Sequence, residues 1–243
     1  MAEAKNDSAI AIVAGGTGAI GSAIARKLQA LGYHVIAADR DVRAVPPGQS
    51  FHACDLTRPD EVDALFKSSA KTGPIRCVVA AQGILRETPA GGSDLTDVSQ
   101  VVDVNLKSVA YLCDIAKSYL VSPASIAIIS SWTASAGRIR NAYAYQATKA
   151  GVESLTRTFA VAYGPLGIRV NCVAPGFMAE PMKGEGAELR AQQGGMDTVI
   201  KGAPLGRLIE GEDIANAVAF LCSDDARAIT GAVLPVDAGY RAL

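Results

Sequence analysis

A tyrosine and a lysine stand four residues apart in Tyr145-Gln146-Ala147-Thr148-Lys149. On a helix this spacing puts them on one face, a turn from each other. A phenol holds its proton to a pKa of about 10, and a neighbouring ammonium favours the phenolate and draws that value down. A tyrosine tuned this way passes a proton to or from a substrate oxygen near neutral pH. Such pairs also arise by chance on solvated helices, so the weight rests on what surrounds this one.

A second constellation lies near the N-terminus. The apolar run Ala9 to Ala14 reads as a strand buried on both faces. Gly15-Gly16-Thr17-Gly18-Ala19-Ile20-Gly21 follows, then helical spacing from Ser22 to Leu31 that stops at Gly32. Residues without side chains let a backbone approach a pyrophosphate, and a helix N-terminus offers free N–H groups and a positive dipole end. Gly15, Thr17, Gly18, Ala19 and Ile20 are therefore candidates to hold a dinucleotide. The spacing is Gly-x-x-x-Ala-x-Gly, not the GxGxxG of the usual fingerprint. A second strand, Tyr33 to Asp39, ends in an acid 24 residues after Gly15. A carboxylate there accepts hydrogen bonds from ribose hydroxyls and repels a 2′-phosphate, which favours NAD over NADP. Arg40 beside it is able to receive that phosphate, and a strand-end Asp also serves as a turn cap.

The remaining chain supplies the scaffold. Phe51 to Leu56 reads as a third strand, and Pro59 opens a helix to about Lys71. Ile75 to Ala81 is a fourth strand, turned at Gln82-Gly83. A long helix is expected from about Asp97 to Leu120, carrying Asn105, then a fifth strand over Ser125 to Ser130. A helix from near Ala142 to Tyr163 carries the Tyr–Lys pair. Ile168 to Ala174 is a sixth strand turned by Pro175-Gly176, and Ala232 to Val236 is the last. Strands alternating with helices predict an α/β, doubly wound, mostly parallel sheet with right-handed crossovers and helices on both faces. No repeat or linker interrupts residues 1–243, which read as one domain. Ligands on such sheets bind beyond the carboxyl ends of the strands, where every motif above falls.

Composition excludes other classes. Of 243 residues, 49% are hydrophobic and 19% charged, enough for a substantial core. The net charge of −1 gives no electrostatic footprint for nucleic acid. Five scattered cysteines (Cys54, Cys77, Cys113, Cys172 and Cys222) read as a reducing compartment without disulfides. With two histidines, His34 and His52, both expected at strand starts, no metal site is expected. The polar Met1 to Ser8 is unlike a signal peptide, and the longest uncharged run, Ser118 to Gly137, holds six serines and a proline, so no membrane span is expected. A cytoplasmic location follows.

In order and spacing, these pieces resemble the short-chain dehydrogenase/reductase family over nearly the full length. The resemblance rests on Gly15 through Gly21, Asp39, Asp55-Leu56, Asn105, Ser130-Ser131, Tyr145 with Lys149, Pro175-Gly176, and Ile229-Thr230-Gly231 through Val236-Asp237-Ala238-Gly239. It implies a Rossmann-like sheet of seven strands and a homotetramer. Tyr145 would be the general acid/base, and Lys149 would lower its pKa and hold the nicotinamide ribose. Ser131 would bond the substrate oxygen, and Asn105 would position a water. Asp55 and Leu56 would flank the adenine, Ala81 and Gly83 would lie along the cofactor, and Pro175 to Phe177 would line the nicotinamide. The bottom-up chemistry agrees: when a hydride moves between a nicotinamide and a carbinol carbon, the protein supplies orientation and a proton carrier.

The chain departs from the family pattern at several points. Ala14 stands where a threonine is usual and Ala19 where a glycine is. Ala80-Ala81-Gln82-Gly83 replaces Asn-Asn-Ala-Gly, so two bracing amides are missing, and Gln82 takes part of that role. Glu180 replaces a threonine after the Pro-Gly. Fourteen residues separate Ser131 from Tyr145, one more than expected, which leaves Ser130 or Thr133 open in place of Ser131. The substrate pocket is expected from Leu85, Trp132, Arg138, Arg140, Tyr143, Met178 and the loop from Met182 to Gly202. An arginine there would pair with a carboxylate, which suits a cyclic hydroxy acid such as a dihydrodiol carboxylate. A 3-ketoacyl thioester reductase, and a non-catalytic dinucleotide-binding regulator, are the alternative readings.

Overall fold

The computed structural model describes residues 8–41, 45–135, 141–180 and 196–242. Seven parallel strands form one sheet in the order β3-β2-β1-β4-β5-β6-β7: β1 Ile10–Ala14, β2 His34–Asp39, β3 Ser50–Ala53, β4 Ile75–Ala80, β5 Leu120–Ile129, β6 Ile168–Pro175 and β7 Val233–Val236. The helices are α1 Ala19–Ala30, α2 Pro59–Ser69, α3 Leu95–Val102, α4 Ser108–Ala116, α5 Tyr143–Tyr163, α6 Met196–Lys201 and α7 Gly211–Cys222. The predicted doubly wound α/β sheet is therefore the fold.

The layering follows from β1. Its five residues are all fully buried, and alternate side chains point to opposite faces. Ile10, Ile12 and Ala14 join a core with Val62, Leu65 and Phe66 of α2, Val109 and Leu112 of α4, and Val152 of α5. Ala11 and Val13 join the opposite core with Ile24 and Leu28 of α1 and Ile214 and Val218 of α7. A strand sandwiched between two helical layers must be apolar at every position. Each large side chain enclosed this way contributes about 1.5–3 kcal/mol.

Several boundaries differ from the sequence expectation. The expected long helix starts earlier, at Leu95, where the Asp94 carboxylate accepts the Thr96 N–H at 2.7 Å. It ends at Ala116 instead of Leu120. β5 begins at Leu120, paired with Ile75, not at Ser125. Pro123 biases the residue before it toward extended backbone, and Tyr119 stacks on Phe66 at 5.7 Å with its hydroxyl donating to Asp63 at 2.6 Å. β3 closes at Ala53, so Asp55 and Leu56 lie beyond the strand. His34 opens β2, whereas His52 is the third residue of β3. Between α3 and α4 the helix makes one π-helical turn, Asp103–Lys107, which carries Asn105.

Candidate active site

Strand order reverses at β1, whose neighbours are β2 on one side and β4 on the other. The connections from β1 and β4 therefore leave in opposite directions and open a crevice at the strands' carboxyl ends. Gly15 makes the first turn with φ +73°, and a Cβ there would stand 2.6 Å from the Gln82 backbone nitrogen. Only glycine lets this turn press against the exit of β4. Gly18 caps α1 without a side-chain bond, which leaves the helix's first N–H groups available to an anion. A cleft of about 160 Å³ opens in front of the turn. Its walls are Gly15 and Gly18, Asp39 and Arg40 at the end of β2, Asp55 and Leu56 after β3, and Ala81 to Ile84 after β4.

Thr17 reaches the same cleft wall indirectly, its hydroxyl donating to Asp39 Oδ2 at 2.6 Å, while Asp39 Oδ1 accepts the Arg40 N–H at 2.9 Å. The carboxylate is thus held at the end of β2. Asp55 Oδ1 accepts the Thr57 N–H at 3.0 Å and its hydroxyl at 2.7 Å. Burial raises the Asp55 carboxyl, but the Thr57 bonds with Arg40 and Arg58 bring it below its ordinary value. Ala19 and Ile20 open α1, and Pro175 ends β6, two residues before Phe177.

Helix α5 carries Tyr145 and Lys149, both buried. Ser131, just past β5, accepts the Thr133 N–H at 3.3 Å and the Thr133 hydroxyl at 3.0 Å. With both lone pairs engaged, the Ser131 proton is free to donate, and its bond to the Tyr145 phenol favours the phenolate. The Ser130 hydroxyl turns the other way, 3.1 Å from the Lys149 carbonyl and 3.0 Å from Glu153 Oε1. Of the three hydroxyls left open by the spacing, Ser131 is the one bonded to the phenol.

The charge logic differs from the expectation. Lys149 Nζ donates to the Ile129 carbonyl at 2.8 Å and lies 5.7 Å from the Tyr145 ring centroid. The phenol is raised above its ordinary pKa by burial, with the Ser131 bond opposing, and is not lowered by the ammonium. Burial pulls the Lys149 amine down to about 8. The physical reason is that the same enclosure penalises the charged form of both groups.

Asn105 is fully buried. Its Nδ2 donates to the Ile84 carbonyl and its Oδ1 accepts the Ile84 N–H, both at 2.8 Å, so its amide clamps the loop after β4. Lys149 Nζ and Asn105 Oδ1 each lie 3.5 Å from where a Cβ on Gly83 would stand. Gly83 thus lies in van der Waals reach of both side chains. Asn105 from the π turn, Ser131 from the loop after β5, and Tyr145 and Lys149 from α5 come together here from three separate elements.

On the substrate side, Leu85 packs in a small cluster with Ala142, Ala144 and Tyr145. The Trp132 ring lies 4.7 Å from Phe177 and 5.0 Å from Tyr240. Tyr143 is partly exposed, and Met178 bridges to Ile209. Arg138, Arg140 and positions 182–195 of the expected pocket loop lie outside the described residues, and the described end of that loop is not irregular but forms α6. The sequence reading missed two contributors. Thr88 is fully buried and ties the loop before α3 to the start of α5, accepting the Tyr143 N–H through its carbonyl at 3.3 Å and the Ala144 N–H through its hydroxyl at 3.2 Å. Tyr240 reaches the aromatic cluster from the C-terminal tail. A lone threonine in a polar loop and a tail tyrosine carry no periodic signal. Among the described residues no group of three or more His, Cys, Asp or Glu is arranged to hold a metal ion. Among them, too, no helix is long and apolar enough to cross a membrane.

Comparison with known proteins agrees with this architecture. A family model described as Enoyl-(Acyl carrier protein) reductase matches residues 14–241. The chain is 36% identical to cis-4-hydroxycyclohexanecarboxylate dehydrogenase of Sinomonas cyclohexanicum, covering 96% of this chain and 97% of that one. It is 34% identical to (3R)-3-hydroxyacyl-CoA dehydrogenase of Canis lupus familiaris, with 96% of each covered. The ligand-free aldohexose dehydrogenase of Thermoplasma acidophilum superposes with a TM-score of 0.90 at 30% identity, covering 98% of this chain and 96% of that one.

Proposed function

Because this chain belongs to the short-chain dehydrogenase/reductase family of oxidoreductases, we propose that it interconverts a secondary alcohol and a ketone with NAD(H), on a cyclic hydroxy acid or dihydrodiol. The observation that carries this reading is the Ser131–Tyr145–Lys149 cluster joined by Asn105 to the wall of the dinucleotide cleft. The residues present fit a nicotinamide dinucleotide, which the family uses. The glycine turn presents unpaired helix N–H groups to phosphate, and Asp39 offers an acceptor to ribose hydroxyls. Bound there, the cofactor supplies the hydride acceptor or donor. Asp39 supports NAD over NADP through its charge.

The protein's own part is the proton and the alignment. Tyr145 exchanges a proton with the substrate oxygen. Ser131 donates to the phenol here and is placed to donate to that oxygen as charge builds on it. Lys149 holds a positive charge below a pH of about 8 and is placed to hold the nicotinamide ribose. Asn105 keeps the Gly83–Ile84 peptide in place. The ring carboxylate named in the Sinomonas relative supports a cyclic hydroxy acid. The hydroxyacyl-CoA relative supports a second reading, a 3-ketoacyl thioester reductase. A single catalytic domain over residues 1–243, a homotetramer and a cytoplasmic site of action complete the proposal.

Turnover of ring and open-chain secondary alcohols and of ketoacyl thioesters with NAD and NADP, for wild type and Tyr145→Phe, tests it. The expected result is activity on a ring hydroxy acid with NAD, reduced about 10²–10⁴-fold in Tyr145→Phe. Full activity in that variant would refute the mechanism. Dinucleotide binding without turnover on the whole panel would favour a regulator.

A further inference from the structure

Gln82 stands in the loop after β4, against the glycine turn, and is 7% exposed. Its Nε2 donates to Ser108 Oγ at 3.0 Å, and Ser108 Oγ in turn donates to the Val104 carbonyl at 2.6 Å. A serine hydroxyl has one proton. With that proton on Val104, Ser108 must accept from Gln82, which fixes the amide's orientation and leaves Oε1 on the other side. Oε1 is buried and has no hydrogen-bond partner. An unpaired buried acceptor is costly, so its presence asks for a donor. Gln82, Val104 and Ser108 all line the cleft that Asp39 and Leu56 also line.

We propose that Gln82 is a dinucleotide-contacting residue whose Oε1 accepts a hydrogen bond from the adenosine half of the cofactor, from a ribose hydroxyl or the adenine amine. The assignment rests on the dinucleotide reading of the cleft. A carbonyl oxygen repels phosphate, so the phosphates remain with the glycine turn. The terminal torsion of a glutamine is broad, so a tilt of the amide brings Oε1 to the cleft while Nε2 stays on Ser108. The residue thus does more than brace the sheet where Ala80 and Ala81 lack side-chain amides.

Calorimetric titration with ADP-ribose, NADH and reduced nicotinamide mononucleotide, with thermal melts of the ligand-free proteins, tests this on wild type, Gln82→Met and Ser108→Ala. The expected result for Gln82→Met is about tenfold weaker ADP-ribose and NADH binding, with mononucleotide binding and melting temperature unchanged. Ser108→Ala, which keeps Oε1, is expected to lose less affinity. ADP-ribose affinity within about twofold of wild type in Gln82→Met overturns the assignment. Equal losses of affinity and melting temperature in both variants also overturn it, in favour of bracing alone. If wild type binds none of the three ligands, the dinucleotide reading itself falls.

Discussion

The buried amine of Lys149 gives the cluster a pH signature that stability measurements can read. Burial pulls its pKa from 10.5 to about 8 in the folded protein. An unfolded lysine keeps its proton to about 10.4. Between these values the unfolded chain binds more protons than the folded one, so this group's contribution makes stability rise with pH across that window. Below a pH of about 8 both states are protonated and the full penalty for burying the charge is present. Integrated from about pH 7.5 to about pH 10, wild type gains about 2 kcal/mol. Lys149→Met keeps the stem and removes the titration, and the Cys172 thiol that feels this ammonium is pushed up to about 12, so it stays protonated across the window in the folded protein. Denaturant unfolding of the pair at several pH values isolates the term: the difference in stability should move by about 2 kcal/mol in favour of wild type as pH rises. A difference that stays flat across the range, or moves the opposite way, would refute the claim that enclosure depresses this amine.

Two other outcomes follow from the geometry. Asp39→Ala removes the carboxylate held by Thr17 at 2.6 Å. It should weaken NADH about tenfold or more and narrow the preference over NADPH; an unchanged ratio in fluorescence titrations contradicts the role given to Asp39. Asn171, fully buried in β6, donates from Nδ2 to the Ile229 carbonyl at 2.9 Å and accepts the Ala232 N–H at 3.1 Å. Asn171→Ala strands both partners and should cost about 3 kcal/mol, about 5–10 °C in melting temperature, with kcat/KM little changed.

The amino-acid order alone determined the alternation of elements, because a strand covered by helices on both sides has to be apolar at each position, as Ile10–Ala14 is, and helices announce themselves by period. It also determined the chemistry on offer, since the Tyr145–Lys149 spacing and the glycine turn are local patterns. Tertiary structure decided what those patterns mean together. That Ser131 and not Ser130 meets the phenol depends on which way each hydroxyl turns past β5. The phenol's upward shift depends on how tightly α5 is enclosed, which no four-residue spacing encodes. Asn105 holding Ile84, Thr88 holding the start of α5 and Tyr240 joining Trp132 are contacts between residues distant along the chain. Their partners are selected by packing, and packing is settled only when the whole sheet has closed.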